Sequence, residues 1–279
     1  MPFLCDLCYT DVIPFQEATP MKTLKRWILL LVLVAAALGI WNLIDFAGSH
    51  LAQFPDTKAG RELAVYAMAN GYSSWDYPKS LMELLERNPE TFTFVSEYPE
   101  AKDRSYEIDL SSCHNQETVP LFLQWDQRWG YLPYGKDIAA ITGCGPVCLS
   151  MVAFHLTGDD SFSPDKMLRF ASDNGYYVDG SGSSWTLISE GGKKLGFDVN
   201  ELPLDEDRIR KTLEQGIPII FVVGPGDFTT SGHFLVMTGW ENGKIRLNDP
   251  NSLANSQRLW SYETIKDQIR NLWAVQIPQ

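Results

Sequence analysis

Hydrophobic and polar positions follow three rhythms along this chain. Positions 27–41 are apolar without a polar face, and Leu43-Ile44 continue the run past Asn42. A surface helix keeps one polar stripe, so this segment is neither amphipathic nor a core helix of ordinary kind. Its length, about 18 residues at ~1.5 Å each or ~27 Å, matches the hydrocarbon core of a bilayer. Residues 58–69 and 77–85 instead place apolar residues at helical spacing among charges, which predicts two amphipathic helices. Asn88-Pro89-Glu90 stops the second, and residues 91–95 fit either a strand or a further helix.

Beyond residue 118 the apolar density rises and the punctuation sharpens. Gly143-Cys144-Gly145-Pro146 opens an apolar helix that runs to Leu156, since proline is tolerated in a first turn. Ser163-Pro164 opens another helix, closed by Asn174-Gly175; residues 185–195 form a third ended by Gly196, and residues 205–215 a fourth ended by Gly216. Then the period changes. Residues 217–223 and 234–240 read as strands, Glu241-Asn242-Gly243 as a hairpin turn, and residues 244–247 as the return strand. A helix at residues 262–269 and a strand at 274–277 end the chain. Helices followed by antiparallel strands make an α+β layout. Four regions are expected: a cytoplasmic N-terminus at 1–26, a transmembrane anchor at 27–44, a stalk or small helical subdomain at 45–117, and the main domain at 118–279.

Charge orients the anchor. Lys22, Lys25 and Arg26 precede the apolar run and Asp45 follows it, with Trp27 and Trp41 near its ends. Positive charge stays on the cytoplasmic side, so the main domain is expected outside the cell. Ala35-Ala36-Ala37 lies inside the run and the run continues past it, which favours an uncleaved anchor over a signal peptide. The net charge of −12 and the lack of a Lys/Arg stripe argue against a nucleic-acid partner.

Cysteine placement brings in chemistry. Cys5-x-x-Cys8 lacks a second pair or a histidine partner, so no metal site is expected. Cys113, Cys144 and Cys148 are an odd set, which leaves at least one free thiol. Cys144 sits between two glycines at a helix start, where the dipole favours thiolate and the backbone N–H faces a developing oxyanion. Cys148, one turn deeper among apolar neighbours, reads as a buried and inert thiol. His233 heads a strand behind the small residues Ser231-Gly232; His155 lies about three helical turns from Cys144, His50 beside the membrane and His114 in the linker. The hairpin that begins at His233 returns at Asp249, which would orient the imidazole; an Asx turn before Pro250 is the alternative reading, and the two are compatible.

Gln124-Trp125-Asp126-Gln127-Arg128-Trp129-Gly130, Gly143-Cys144-Gly145-Pro146, Gly232-His233 and Asn248-Asp249-Pro250 together resemble the bacteriocin-processing, double-glycine-leader cysteine peptidase family in its stand-alone branch. The resemblance covers residues 118–276 and implies a papain-like fold, with Cys144 as nucleophile, His233 as base, Asp249 as its orienting partner and Gln124, or Gln127 in its place, as oxyanion donor. Transporter-fused members carry an ATPase with a Gly-x-x-x-x-Gly-Lys-Ser/Thr loop, and no such loop occurs in this sequence. The expected function is hydrolysis of peptide or amide bonds through a thioester, by a membrane-anchored cysteine peptidase outside a bacterial cell. Its partners are a peptide or protein substrate and the membrane, with no cofactor, metal or nucleic acid. Two alternatives use the same fold: an idle binding or scaffolding module of the envelope, and an amide or acyl transferase.

Overall fold

A computed structural model describes residues 21–51, 54–114 and 116–278, the side chains of 21–24 and 46–51 excepted. The expectations for the cytoplasmic residues 1–20, including Cys5-x-x-Cys8, lie outside the described residues. The chain forms two units divided after Ala52.

The first unit is one helix, α1 (Met21–Leu51), longer than the apolar run itself. Its Lys25–Asp45 window has 21 residues, a mean hydropathy of 2.5 and no buried share, so it has the length and composition of a membrane span. A signal sequence near an N-terminus meets the same criteria.

The second unit opens with helices α2 (Lys58–Ala69), α3 (Lys79–Arg87) and α4 (Phe92–Ser96). Thr57 caps α2 by accepting from the Gly60 N–H at 3.1 Å. Residues 91–95, which suited strand or helix, are helical: Asn88 accepts from the Glu90 N–H, and Pro89 begins the turn leading into α4. The apolar faces of these helices, with Leu63, Leu81, Leu85 and Phe94, close on Tyr131 and Ala140 of the following region. Phe94 stacks on Tyr131 at 4.1 Å between centroids, and the Tyr131 hydroxyl donates to the Phe94 carbonyl at 2.7 Å.

Next come α5 (Cys144–Thr157) and α6 (Pro164–Asp173). Gly158 ends α5 with φ 64°, a left-handed cap that favours glycine. Residues 145 to 154 are all buried, which accounts for the missing polar face. The helix expected at 185–195 is present over residues 186–194, though not as a uniform α-helix. Leu187–Gly191 is a wide π turn and Gly192–Lys194 a short helical turn. Its glycines are closely packed: a Cβ at Gly192 would stand 2.8 Å from Val199 Cγ2, and one at Gly191 3.1 Å from the Tyr176 ring.

After strand β1 (Asp198–Glu201), α7 (Glu206–Glu214) leads into β2 (Ile219–Val223), β3 (His233–Glu241) and β4 (Lys244–Asn248). A short helix, α8 (Leu253–Ser256), then precedes β5 (Leu259–Trp260) and β6 (Ile269–Gln276). The six strands form one antiparallel sheet in the order β1-β6-β2-β3-β4-β5. Asn242 at φ 52° and Gly243 at φ 74° turn the β3–β4 hairpin, as a primed turn requires. Ile220 and Val222 face α5 in one core, while Ile219, Phe221 and Val223 face a second core around α7 and Trp260. Covered on both faces, β2 is an uninterrupted apolar run. The helix expected over 262–269 stops at Ile265, and β6 starts five residues before the expected strand, its register with β2 shifting between Ile269 and Asn271.

Candidate active site

Cys144 is the first residue of α5, behind Gly143, and is half-buried. The turn that frees its sulfur demands a glycine after it, because a Cβ on Gly145 would come within 2.8 Å of the Ser183 side chain. The four leading N–H groups of a helix lack intrahelical acceptors, so the N–H of Cys144 is free to meet a negative oxygen.

His233 opens β3 opposite Val223 of β2 and is 6% exposed. Its Nε2 donates to Asp249 Oδ1 at 2.7 Å, and Asp249 is 1% exposed. With Nε2 taken, Nδ1 is the nitrogen left to face Cys144, whose sulfur and the imidazole are near enough to shift each other's protonation. Asp249 is held on every side. Its Oδ1 also accepts from the Asn251 N–H at 2.8 Å, its Oδ2 from Asn255 Nδ2 at 2.8 Å, and its own N–H donates to Ser256 Oγ at 2.8 Å. The bond from Asn251 is an Asx turn, so the turn and the imidazole contact coexist.

These contacts set the protonation. Burial pushes the Cys144 thiol up, but the hydrogen bond and charge of His233, with the N–H groups of Phe234 and Gly145, outweigh it and bring the thiol below its ordinary value. Burial likewise works against the His233 imidazolium, yet the Asp249 carboxylate and the Cys144 sulfur raise it to about 10. Both shifts favour the thiolate–imidazolium form of the pair. Cys148, one turn deeper and fully buried, is pushed well above the usual thiol range by burial first and by the neighbouring Cys144 second.

Of the two glutamines, Gln124 reaches the cleft. Its backbone N–H donates to the Pro250 carbonyl at 2.7 Å and its Nε2 to the Ala140 carbonyl at 2.7 Å, which leaves one of its two amide hydrogens available. Its Oε1 is buried without a partner. Gln127 is bound by the Glu97 carboxylate and does not line the cleft. The other histidines are elsewhere: His114 pairs with Asp160 at 3.1 Å, and His155 lies near the far end of α5.

Cys144, His233 and Gln124 line a cleft of about 810 Å³, whose walls include Trp185 and the loop at residues 226–232. Among the described residues no group of three or more His, Cys, Asp or Glu side chains converges as a metal site would. Sequence patterns did not reveal Asn251 and Asn255 as supports of Asp249, or Asn88 and Glu90 as supports of their loop. The Asn88 Nδ2 donates to the Asn251 carbonyl, and the Glu90 carboxylate accepts from Ser252 Oγ and the Leu253 N–H, each at 2.7 Å. Asn251 and Asn255 were within reach as polar residues of an Asp-Pro turn, but no local pattern marks a partner 162 residues away.

The Peptidase_C39 like family matches residues 116–277. No curated protein matches the chain. Among solved structures, the peptidase domain of Streptococcus ComA, described as a bifunctional ABC transporter involved in a quorum-sensing pathway, is similar at 21% identity with a TM-score of 0.41, covering 57% of this chain and 99% of that one. A protein of Bacillus anthracis described as a C39-like peptidase is similar at 16% identity with a TM-score of 0.36, covering 58% of this chain and 97% of that one.

Proposed function

The chain belongs to the Peptidase_C39-like family, a family of papain-like cysteine peptidases, and from that premise we propose that it is a membrane-anchored peptidase cutting peptide bonds outside the cytoplasm, with Cys144 as nucleophile. The reading rests above all on one observation: a buried His233–Asp249 pair beside a thiol at a helix start.

In this reading the Cys144 thiolate attacks the scissile carbonyl carbon, and the oxygen takes the electron pair. Negative charge on that oxygen is met by the Cys144 N–H and the available amide hydrogen of Gln124. The His233 imidazolium gives its proton to the leaving amine as the C–N bond breaks, leaving a thioester on Cys144. Neutral His233 then takes a proton from water, the hydroxide equivalent attacks the thioester, and a carboxylic acid leaves as the thiolate and imidazolium return. Asp249 keeps Nε2 protonated and the ring aimed throughout. The basic residues before the apolar window of α1 and Asp45 after it support an orientation with the second unit outside.

The test is activity-based labelling of the full chain in detergent with an acyl-type thiol probe, followed by peptide mapping and a peptide cleavage assay. Labelling at Cys144, with cleavage lost in Cys144→Ala, is the expected result. Labelling elsewhere, or cleavage that survives Cys144→Ala, would overturn the proposal.

A further inference from the structure

Among the described residues, two charged side chains line the cleft besides Cys144 and His233: Arg87 and Asp227. They differ in one respect. The Asp227 carboxylate already accepts from Gln268 Nε2 at 2.6 Å. Arg87 makes no ion pair or side-chain hydrogen bond among the described residues. Its natural helical partner is Glu83, four residues earlier on α3, and Glu83 is held by Lys79 at 3.2 Å. Arg87 is an exposed cation without a partner at the mouth of the cleft, on a chain of net charge −12.

The helix end that carries Arg87 is anchored. The next residue, Asn88, donates through Nδ2 to the Asn251 carbonyl, which also receives Trp125 Nε1 at 2.9 Å. Glu90 holds the following loop by Ser252 Oγ and the Leu253 N–H. The end of α3 is thus pinned to the loop that carries Asp249, and Arg87 stands on a fixed wall shared with Gln124 and Asn251. Arg87 lies outside residues 116–277, so it is an addition made by the helices that precede the family region. A guanidinium offers paired N–H donors matched to the two oxygens of a carboxylate.

We propose that Arg87 forms a carboxylate-recognising subsite of this cleft and selects peptide substrates that present an acidic group beside the bond to be cut. The assignment rests on the peptidase reading for its substrate, but its test separates the two. The carboxylate can come from an Asp or Glu side chain or from the C-terminus of the peptide.

The full chain in detergent, as wild type, Arg87→Gln and Arg87→Glu, is given a peptide library randomised around the cleavage site, synthesised once with free and once with amidated C-termini. The same three forms in a Cys144→Ala background are measured for peptide binding by fluorescence anisotropy. Wild type should favour an acidic residue at one position by about fivefold over a neutral one, as for a partly screened ion pair. Arg87→Gln should erase that preference, and Arg87→Glu should turn it toward Lys or Arg. If amidation alone removes the preference, the group recognised is the terminal carboxylate. Cleavage with the same sequence profile in all three forms would overturn the subsite and leave the peptidase reading intact. Charge-dependent binding without any cleavage would uphold the subsite and remove the hydrolase.

Discussion

His233 Nε2 and Asp249 Oδ1 stand 2.7 Å apart, with the histidine opening one strand of a hairpin and the aspartate following the other. Each is nearly sealed from water, and each would be costly to bury alone. The relationship makes a direct prediction. Asp249→Asn keeps the volume and the Asx turn but cannot stabilise an imidazolium, and it permits the wrong tautomer. Turnover should drop by up to ~10⁴-fold with the fold retained. Wild-type kcat in purified Asp249→Asn would show that the pair is structural only.

The protonation of the site predicts a pH profile. A thiol held below its ordinary value carries more thiolate near neutrality, so iodoacetamide should modify Cys144 far faster than Cys148, whose proton burial retains. The acid limb of kcat/KM follows loss of the thiolate as pH falls. The alkaline limb follows loss of the imidazolium proton, and because His233 is raised to about 10, activity should persist well past pH 8 and decline near 10. In Asp249→Asn that alkaline limb should move to lower pH. Equal alkylation of both cysteines, or an alkaline limb near pH 6.5, would contradict the ion pair.

Gln124 and Gln127 can be told apart by turnover. Gln124→Ala removes the amide of a cleft-lining residue and should cost roughly 10²–10³ in kcat, the scale of a single oxyanion donor. Gln127→Ala loosens a contact to Glu97 away from the cleft and should leave kcat within about twofold, as a surface substitution does. The reverse result would transfer the oxyanion role to Gln127.

Topology is open to measurement in intact cells. Lys25–Asp45 is a candidate span, and external protease should remove the second unit from cells that express the full chain. Protection of that unit until the membrane is breached would place it on the cytoplasmic side.

Much of the site was legible because its chemistry is marked by punctuation. A cysteine between glycines before a proline announces a helix start, and a hairpin with an Asn-Gly turn brings His233 toward Asp249 by counting residues along two strands. The apolar run of β2 was legible for the same reason, as both faces are covered. Strand β1 was not: in Asp198-Val199-Asn200-Glu201 only Val199 is buried, so an edge strand reads as a polar loop. Strand β5, two residues long, carries no period at all. The helix expected at 185–195 forms over residues 186–194, but its π turn at Leu187–Gly191, where Gly191 and Gly192 stand close to Tyr176 and Val199, was not legible.

Least legible of all was the clamp from the early helices, and it leads to the last prediction. The Glu90 carboxylate accepts from Ser252 Oγ and the Leu253 N–H at the start of α8, three residues beyond Asp249. Asn88 holds the Asn251 carbonyl, and Asn251 in turn donates to Asp249 Oδ1. The aspartate is thus positioned through hydrogen bonds that start from Asn88 and Glu90, the latter 162 residues before its partner Ser252. Glu90→Ala removes a charged acceptor of partly exposed donors, a loss of about 1–2 kcal/mol, or a few degrees in Tm for a domain of this size. A purely structural clamp would do no more. If Glu90 positions Asp249, kcat should also fall, with KM nearly unchanged, and the alkaline limb should shift toward lower pH as the imidazolium loses its partner. Glu90→Gln keeps one acceptor oxygen and should recover part of both effects. A lowered Tm with unchanged kcat and an unmoved alkaline limb would confine Glu90 to stability.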